Sequence, residues 1–112
     1  MLARMTGDHM LTVLGALANA HRLRIVAALQ SAGRNYVSQL AREVGLSRPL
    51  LHLHLIKLQE AGLVRSQIEL SSGSKALNYF EVTDFFHELS PATIAEAVKS
   101  LTRLNKNPGS PV

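Results

Sequence analysis

The side chains of this sequence that could bind a metal ion are imidazoles and carboxylates, because the chain has five histidines and no cysteine. Such donors suit nickel, zinc or cobalt better than copper(I), cadmium or lead. Asp8 and His9 stand near the start of the chain, whereas His87 and Glu88 stand well beyond its middle. A dimer could bring these four together, so we name them as the candidate metal ligands, with ordinary surface exposure as the alternative for each.

The other three histidines do not form a second site of this kind. His52 and His54 are two positions apart, so in a helix their side chains would point about 200° away from each other and could not chelate one ion. His21 lies at a predicted helix start, where capping or exposure explains it. The sequence demands no cofactor, and nickel or zinc is the ion that the candidate ligands would take.

A second set of side chains is suited to contacting nucleic acid. Arg48 can bond both acceptors of a guanine, and the ring of His52 offers a hydrogen-bond donor to a base edge. Ser47 can cap a helix and also donate to a phosphate. The residues suited to positioning the phosphate backbone are Gln39, Arg42 and Lys57, and solvation without any contact is the alternative throughout.

These residues must be positioned by the segment from Tyr36 to Val64, which carries two short helical patterns broken at Gly45. Ser47 and Pro49 have the types that begin the second helix, and glycine the type that ends the first. The stripes expected to be buried are Val37, Leu40, Ala41 and Val44, then Leu51, Leu55 and Leu58. So short a turn holds the second helix clear of the surface, at a width that fits the major groove. The segment predicts a helix-turn-helix that binds DNA.

The outward face of the second of these helices is unusually apolar. With the leucine stripe inside, helical geometry places Pro49, Leu53 and Ile56 outside, beside His52 and Lys57. Leu53 and Ile56 can contact thymine methyl groups, or they can pack on a neighbouring element. An apolar face also suits a partner protein, so a protein-interaction module of the same fold is the alternative function.

Three further helices are expected around this unit. A first helix covers residues 9–18, a second is capped by Asn19 and ends at Gly33, and a last helix covers 91–104. The residues expected on their apolar faces are Met10, Leu11, Leu14, Leu17 and Ala18 in the first, Leu23, Val26, Ala27 and Leu29 in the second, and Ile94, Ala97, Val98, Leu101 and Leu104 in the last.

After the helix-turn-helix the hydrophobic period changes from about 3.6 to two. Strands over 64–70 and 77–86, separated by a turn at 71–74, predict an antiparallel hairpin, and the even-numbered residues of the first strand should share one face. Arg65 at the base and Lys75 near the tip are the cations that could contact phosphate there. The predicted fold is mainly α with a small β-hairpin: a winged helix-turn-helix of order α-α-α-α-β-β-α.

The composition is compatible with one domain over residues 1–104 and a disordered tail over 105–112. A chain of 112 residues with 46% hydrophobic content can bury one core, and a net charge of +4 favours a polyanionic partner. No apolar run has the length of a membrane span and no signal peptide is visible, so we expect a cytoplasmic protein without membrane contact. The sequence has no phosphate-binding glycine loop, nucleophile elbow or His-Glu-x-x-His motif, which argues against an enzyme.

Two stretches carry a resemblance to a known family. The stretch from Leu17 to Val26, LANAHRLRIV, and the pieces Leu46-Ser47, His54-Leu55 and LQEAGLV at 58–64 resemble the ArsR/SmtB family of bacterial winged-helix transcription regulators. The resemblance extends over residues 9–104. It implies a homodimer that binds double-stranded operator DNA, commonly represses transcription, and in many cases responds to a metal ion.

The same resemblance implies that the first and last helices form the subunit contact. Their apolar residues lie at the two ends of a small fold and need a cover, which a second copy could provide, although packing on their own domain is the alternative. The residues expected at the dimer interface are Met10, Leu11, Leu14, Leu17, Ile94, Val98 and Leu101. The chain also resembles actinobacterial nickel-responsive superoxide dismutase regulators, which implies nickel sensing. A further alternative is an accessory regulator protein that senses the signal.

Overall fold

The computed structural model describes residues 5–70, 73 and 75–102, which contain five helices and three strands. In chain order these are α1 (Gly7–Leu17), α2 (Ala20–Ala32), β1 (Asn35–Tyr36), α3 (Val37–Val44), α4 (Arg48–Glu60), β2 (Val64–Leu70), β3 (Ala76–Val82) and α5 (Pro91–Val98). The predicted order is confirmed, with β1 as an addition. Within the described ranges no helix has the length and apolar character to cross a membrane.

The helix boundaries follow from local capping. The side chains of Thr6, Asn19, Ser47 and Ser90 each accept a hydrogen bond from a backbone N–H three residues later, at the start of α1, α2, α4 and α5. Each bond satisfies an N–H group that the helix leaves without a partner, which is worth about 1 kcal/mol. Gly45 ends α3 in the left-handed conformation with φ 72°, as glycine readily does.

The core lies between the inner sides of the helices and β3. The predicted stripe of α4 is confirmed, since Leu51, Leu55 and Leu58 have no exposed surface. The other large side chains that are almost completely buried are Ile25, Leu29, Leu40, Leu63, Val64 and Phe80. Helix α4 is thereby fixed by one side, and its other side is left to solvent.

The predicted inner faces of α1 and α2 are wrong in part. Helix α1 buries Met10, Val13 and Ala16, whereas Leu14 is exposed, so the helix is rotated by about one residue, or 100°, from the expected face. In α2 the residue that is fully buried is Ile25, and Leu23 is 53% exposed. Both helices carry apolar residues around much of their circumference, so packing against α4, α3 and β3 selects the buried side.

The sheet has the order β1-β3-β2, and both pairings are antiparallel. The predicted hairpin is confirmed for β2 and β3, which pair from Val64 with Val82 to Leu70 with Ala76. Strand β1 was not expected, since Tyr36 was assigned to a helix; it pairs Asn35 with Phe80 and is too short for a periodic signal.

The hairpin also differs from its predicted length and burial. Strand β3 ends at Val82, not at residue 86, and the bond from the backbone N–H of Thr83 to Leu63 O (3.0 Å) continues the pairing by one residue beyond it. On β2 the expected apolar face is buried only at its start, and Ile68 and Leu70 are 69% and 78% exposed. The end of the hairpin therefore extends beyond the core.

The chain leaves the helix after α5 earlier than expected. The backbone N–H groups of Lys99, Ser100 and Leu101 bond carbonyls three residues back, which ends the α-helix at Val98 instead of Leu104. Residues 103 and 104 of the predicted helix, the predicted tail at 105–112 and most of the predicted turn at 71–74 lie outside the described residues.

The segment after α5 packs closely on the start of α1. Gly7 donates its backbone N–H to the Ser100 hydroxyl at 3.0 Å, and a side chain at Gly7 would place its Cβ 2.5 Å from the carbonyl oxygen of Ala97. Gly15, in the same helix, faces open space. The close approach of the two end helices therefore depends on the absence of a side chain at Gly7.

We predict that Gly7→Ala lowers the free energy of unfolding by about 1–3 kcal/mol, because the added methyl group meets a backbone carbonyl that cannot move aside freely. Gly15→Ala is the matched control, and it should be neutral or stabilise by up to about 1 kcal/mol through helix propensity. Urea unfolding followed by circular dichroism measures both. Equal stabilities of the two variants would contradict the close α1–α5 contact.

Candidate nucleic-acid interface

Helix α4 divides sharply into a buried and an exposed side. Opposite the leucine stripe, Leu53 is 61% and Ile56 38% exposed, so neither is covered by another element of the described chain. Leu50, at 41%, continues this apolar surface toward the helix N-terminus. The predicted contact residues that are exposed are Arg42, Ser47, Arg48, Pro49, His52, Leu53, Ile56, Lys57, Arg65 and Lys75, and Gln39 is half-buried.

The start of α4 is built to approach an anion. The Ser47 oxygen accepts from Leu50 N at 3.3 Å, which leaves its hydroxyl proton available, and Pro49 lies in the first turn, where a missing N–H costs nothing. Arg48 adds a full positive charge to the partial positive charge of the helix end. The polar candidate contact residues Ser47 and Arg48 therefore lie at one end of an otherwise largely apolar surface.

The hairpin holds its charges in ion pairs. Arg65 Nε lies 2.6 Å from Glu81 Oε2 across the β2–β3 ladder. Arg34, just before β1, bonds both oxygens of Glu69 at 2.5 and 2.9 Å and lies over the Tyr79 ring at 4.4 Å. The guanidinium lowers the pKa of Glu69 by hydrogen bonding. Sequence reasoning missed Arg34, because only the pairing of β1 with β3, which was not expected, brings this residue to the hairpin.

Beneath α4 lies a polar junction that the sequence analysis did not find. Arg22 of α2 donates from Nε to Ala16 O (2.6 Å) and from Nη2 to Gly15 O (3.3 Å), and its Nη1 lies 3.1 Å from Nδ1 of His54. Because a guanidinium has no acceptor, Nδ1 must accept, and the His54 ring is neutral with its proton on Nε2. Burial, with the charges of Arg22 and His21, lowers the pKa of His54.

A signal for this junction was present in the sequence. His54 lies three residues after Leu51 and four before Leu58, so it belongs to the buried stripe of α4 and not to the outer face. Of the two explanations offered for His21, capping and exposure, the structure shows exposure, and Asn19 is the cap as expected. The His21 ring lies with its centroid 5.5 Å from that of His54.

The candidate metal ligands are brought together only in part. His9 and His87 meet within one chain, edge to face, with ring centroids 5.8 Å apart. Asp8 is directed elsewhere: its carboxylate accepts from the backbone N–H (2.9 Å) and the hydroxyl of Thr102, and these bonds lower the pKa of Asp8. In the described part of the chain no three histidine, aspartate or glutamate side chains cluster as metal ligands.

The end helices expose an apolar surface. Leu11, Leu14, Ile94 and Val98 are 39–55% exposed, whereas Leu17 and Leu101 are half-buried. Met10, expected at the dimer interface, is only 8% exposed and packs inside its own chain, because α1 is rotated from the predicted face.

The sequence analysis missed two members of this surface, and a cavity lies beside them. Phe86 and Leu89 are 75% and 60% exposed in the loop between β3 and α5. The cavity, of about 290 Å³, lies between α1 and residues 85–89.

A helix-turn-helix followed by an antiparallel hairpin defines a winged helix-turn-helix protein. Residues 19–66 match the bacterial regulatory protein family arsR. An uncharacterized HTH-type transcriptional regulator of Methanocaldococcus jannaschii is 39% identical over 70 residues, which cover 62% of this chain and 72% of that protein. The chain belongs to the ArsR family of transcription regulators. Its relatives are regulators and not enzymes, which confirms that expectation.

Solved structures agree with the fold. NolR from Sinorhizobium fredii superposes with a TM-score of 0.58 at 26% identity, covering 82% of this chain and 80% of that one. A domain from Mycobacterium bovis, described as a homodimeric winged helix-turn-helix DNA-binding domain of a possible ArsR-family regulator, gives a TM-score of 0.57 at 28% identity, covering 67% and 64%.

Proposed function

We propose that the protein is a homodimeric transcription repressor that binds operator DNA with α4 in the major groove and the β2–β3 hairpin beside the phosphate backbone. The observation that carries the proposal is the outer side of α4, which is exposed along its length while the inner side is locked in the core. A rigid, protruding helix of this width fits the major groove.

The contacts divide by chemistry. Arg48 and His52 read base edges, and Leu53 and Ile56 meet thymine methyl groups. The backbone is positioned by Gln39, Arg42, Ser47 and Lys57, with Lys75 and Arg65 of the hairpin. Because Arg65 is ion-paired with Glu81, the base of the hairpin contributes less charge than its sequence implies. Most of the sequence discrimination therefore comes from the first two turns of α4.

We predict that Arg48→Ala lowers the affinity for a specific duplex by about ten- to a hundredfold, which is the value of one bidentate base contact. The ratio of the affinities for the specific and the scrambled duplex should fall by the same factor. The duplex is first selected by the wild-type protein from a random pool, and binding is measured by fluorescence anisotropy. Arg24→Ala, which removes an equal charge from the exposed surface of α2, is the control.

An equal loss in both arginine variants would show a charge effect only. If the wild-type protein shifts no duplex at micromolar concentration and low salt, DNA binding is wrong. The apolar outer side of α4 then favours the alternative function, a protein-interaction module that binds a partner protein instead of DNA.

The proposed dimer is supported by the apolar surface on the two end helices. Leu11 and Leu14 of α1 and Ile94 and Val98 of α5 remain exposed although both helices are packed against their own domain. The related M. bovis domain is a homodimer. Two copies joined through this surface would present two α4 helices to successive half-sites on DNA.

We predict that Val98→Glu converts the protein to a monomer, because a carboxylate buried between two apolar surfaces would be unpaired. Leu23→Glu is the control, since Leu23 is 53% exposed on α2 and Val98 55% on α5. Sedimentation equilibrium distinguishes the species. A monomeric wild-type protein, or a Val98→Glu variant that stays dimeric, would contradict the proposed interface.

We also propose that the protein responds to nickel or zinc, on the strength of the His9–His87 contact. Imidazole nitrogens are good ligands for both ions. Two imidazoles are too few for a complete site, so a second protomer would supply the remaining donors, with Glu88 and a reoriented Asp8 as the carboxylates nearest in sequence. Such a site would lie beside the proposed subunit contact, where an ion could change the spacing of the two α4 helices.

We predict that His9→Ala and His87→Ala each weaken nickel and zinc binding at least tenfold in calorimetric titration, while His52→Ala leaves it unchanged because its ring lies on the outer side of α4. Removing a direct metal ligand should lower the metal affinity at least as much as removing a residue that only supports a ligand, which lowers it roughly 10–100-fold. Unaltered binding in both variants would discard the site and leave the DNA-binding proposal intact.

A further inference from the structure

Arg22 joins three helices through one guanidinium group. It stands in the first turn of α2, its Nε and Nη2 reach the carbonyl oxygens of Ala16 and Gly15 in the last turn of α1, and its Nη1 reaches the His54 ring in the middle of α4. The two carbonyls are among those that a helix end leaves without a partner inside the helix. The guanidinium is planar and its donors have fixed directions, so it sets the relative position of α1 and α4.

The junction lies directly behind the proposed reading surface. His52 and Leu53, on the outer side of α4, precede His54 in the sequence, and Leu55, on the inner side, follows it. Helices α1 and α4 also share the apolar core, in which Val13 and Ala16 of α1 lie with the leucine stripe of α4. Apolar packing resists separation but tolerates sliding. A hydrogen bond of fixed direction restricts that sliding.

The contact between Arg22 and His54 exists only while the imidazole is neutral. A proton on Nδ1 would place an N–H group against the N–H of Arg22, replace a hydrogen bond by repulsion between two cations, and add a charge beside His21. Helix α4 packs against α1, α2, α3 and β2, and the charged groups that act on the ring are Arg22 and His21, both from α2. The contribution of α1 to the junction is its two carbonyl oxygens, both already bonded to Arg22.

We propose that Arg22 and His54 are positioning residues that hold α4 at its reading angle relative to α1, and that protonation of His54 releases this hold and weakens selective DNA binding. The proposal rests on the proposed function. In the homodimer, α1 belongs to the subunit contact, so its angle to α4 sets the distance between the two reading helices and hence the half-site spacing that the dimer accepts.

The dependence on pH has a definite sign. Burial and the neighbouring charges lower the pKa of His54, so the unfolded chain binds this proton at a higher pH than the folded chain. Between the two pKa values the unfolded state holds more protons, and the free energy of unfolding therefore falls as the pH falls. Acidification from the ordinary imidazole range downward loosens the junction, and neutral pH restores it.

The test compares the wild-type protein with His54→Asn. The amide oxygen of the introduced asparagine can occupy the position of Nδ1 and accept from Arg22, but the amide takes up no proton. The ratio of affinities for the selected and scrambled duplexes is measured by anisotropy at a series of pH values, from 7.5 down to the lowest at which the wild-type protein stays folded. We expect the wild-type ratio to fall at least tenfold on acidification and the His54→Asn ratio to stay within twofold of its neutral value.

Two further variants remove the junction at every pH. His54→Leu introduces an apolar side chain of similar size that has no hydrogen-bond acceptor, and Arg22→Gln removes the guanidinium. Both should show a low ratio at pH 7.5 and no further fall on acidification. Arg24→Gln, with the same charge change two residues along α2, should behave like the wild type. Circular dichroism at each pH identifies any variant that is unfolded, and the comparison of the wild type with His54→Asn then provides the test by itself.

The outcomes separate this inference from the one that it rests on. His52 and His21 are present in both the wild type and His54→Asn, so protonation there cancels in the comparison. A wild-type protein that selects a duplex but has the same pH profile as His54→Asn overturns the coupling and leaves DNA binding standing. A wild-type protein that binds no duplex overturns both the coupling and the proposed DNA binding.

Discussion

The burial of Leu51, Leu55 and Leu58 is the constraint on which the rest of this structure depends. Each of these side chains contributes on the order of 2 kcal/mol by leaving water, and together they fix one side of α4 in the core. The opposite side is then exposed by geometry, because residues 100° apart around a helix cannot all face inward. The protruding apolar and basic surface of α4 is thus a direct consequence of core packing.

Around this helix the charged groups are distributed unequally. Arg34 and Arg65 are ion-paired with Glu69 and Glu81 along the hairpin, and Arg22 is bonded to helix carbonyls and His54. The exposed cations on and near α4 belong to Arg42, Arg48 and Lys57. A polyanion would therefore be attracted more strongly to the helix-turn-helix than to the hairpin. These ion pairs join β2 to β3 and to the residue before β1, while Ile68 and Leu70 stay exposed.

The start of α1 and the segment after α5 meet in the described part of the chain. Gly7 allows α1 to approach Ala97 closely. The Asp8 carboxylate accepts hydrogen bonds from Thr102, so it stabilises this contact. It is therefore not directed at the pair of rings formed by His9 and His87. Contact between the end helices also leaves their remaining apolar side chains on a common surface. Subunit pairing and metal binding, as proposed, would therefore share one region and could influence each other.

The sequence by itself determined the leucine stripe of α4, the starts of α2, α4 and α5, the turn at Gly45 and the pairing of β2 with β3. Tertiary structure decided the rotation of α1 and α2, whose apolar residues allow more than one buried face. It also decided the pairing of β1, and the contacts of Arg22 with His54 and Arg34 with Glu69, which join residues 32 and 35 positions apart. Local periodicity states which residues can share a side of an element, but the element that covers that side is set by the packing of the whole chain.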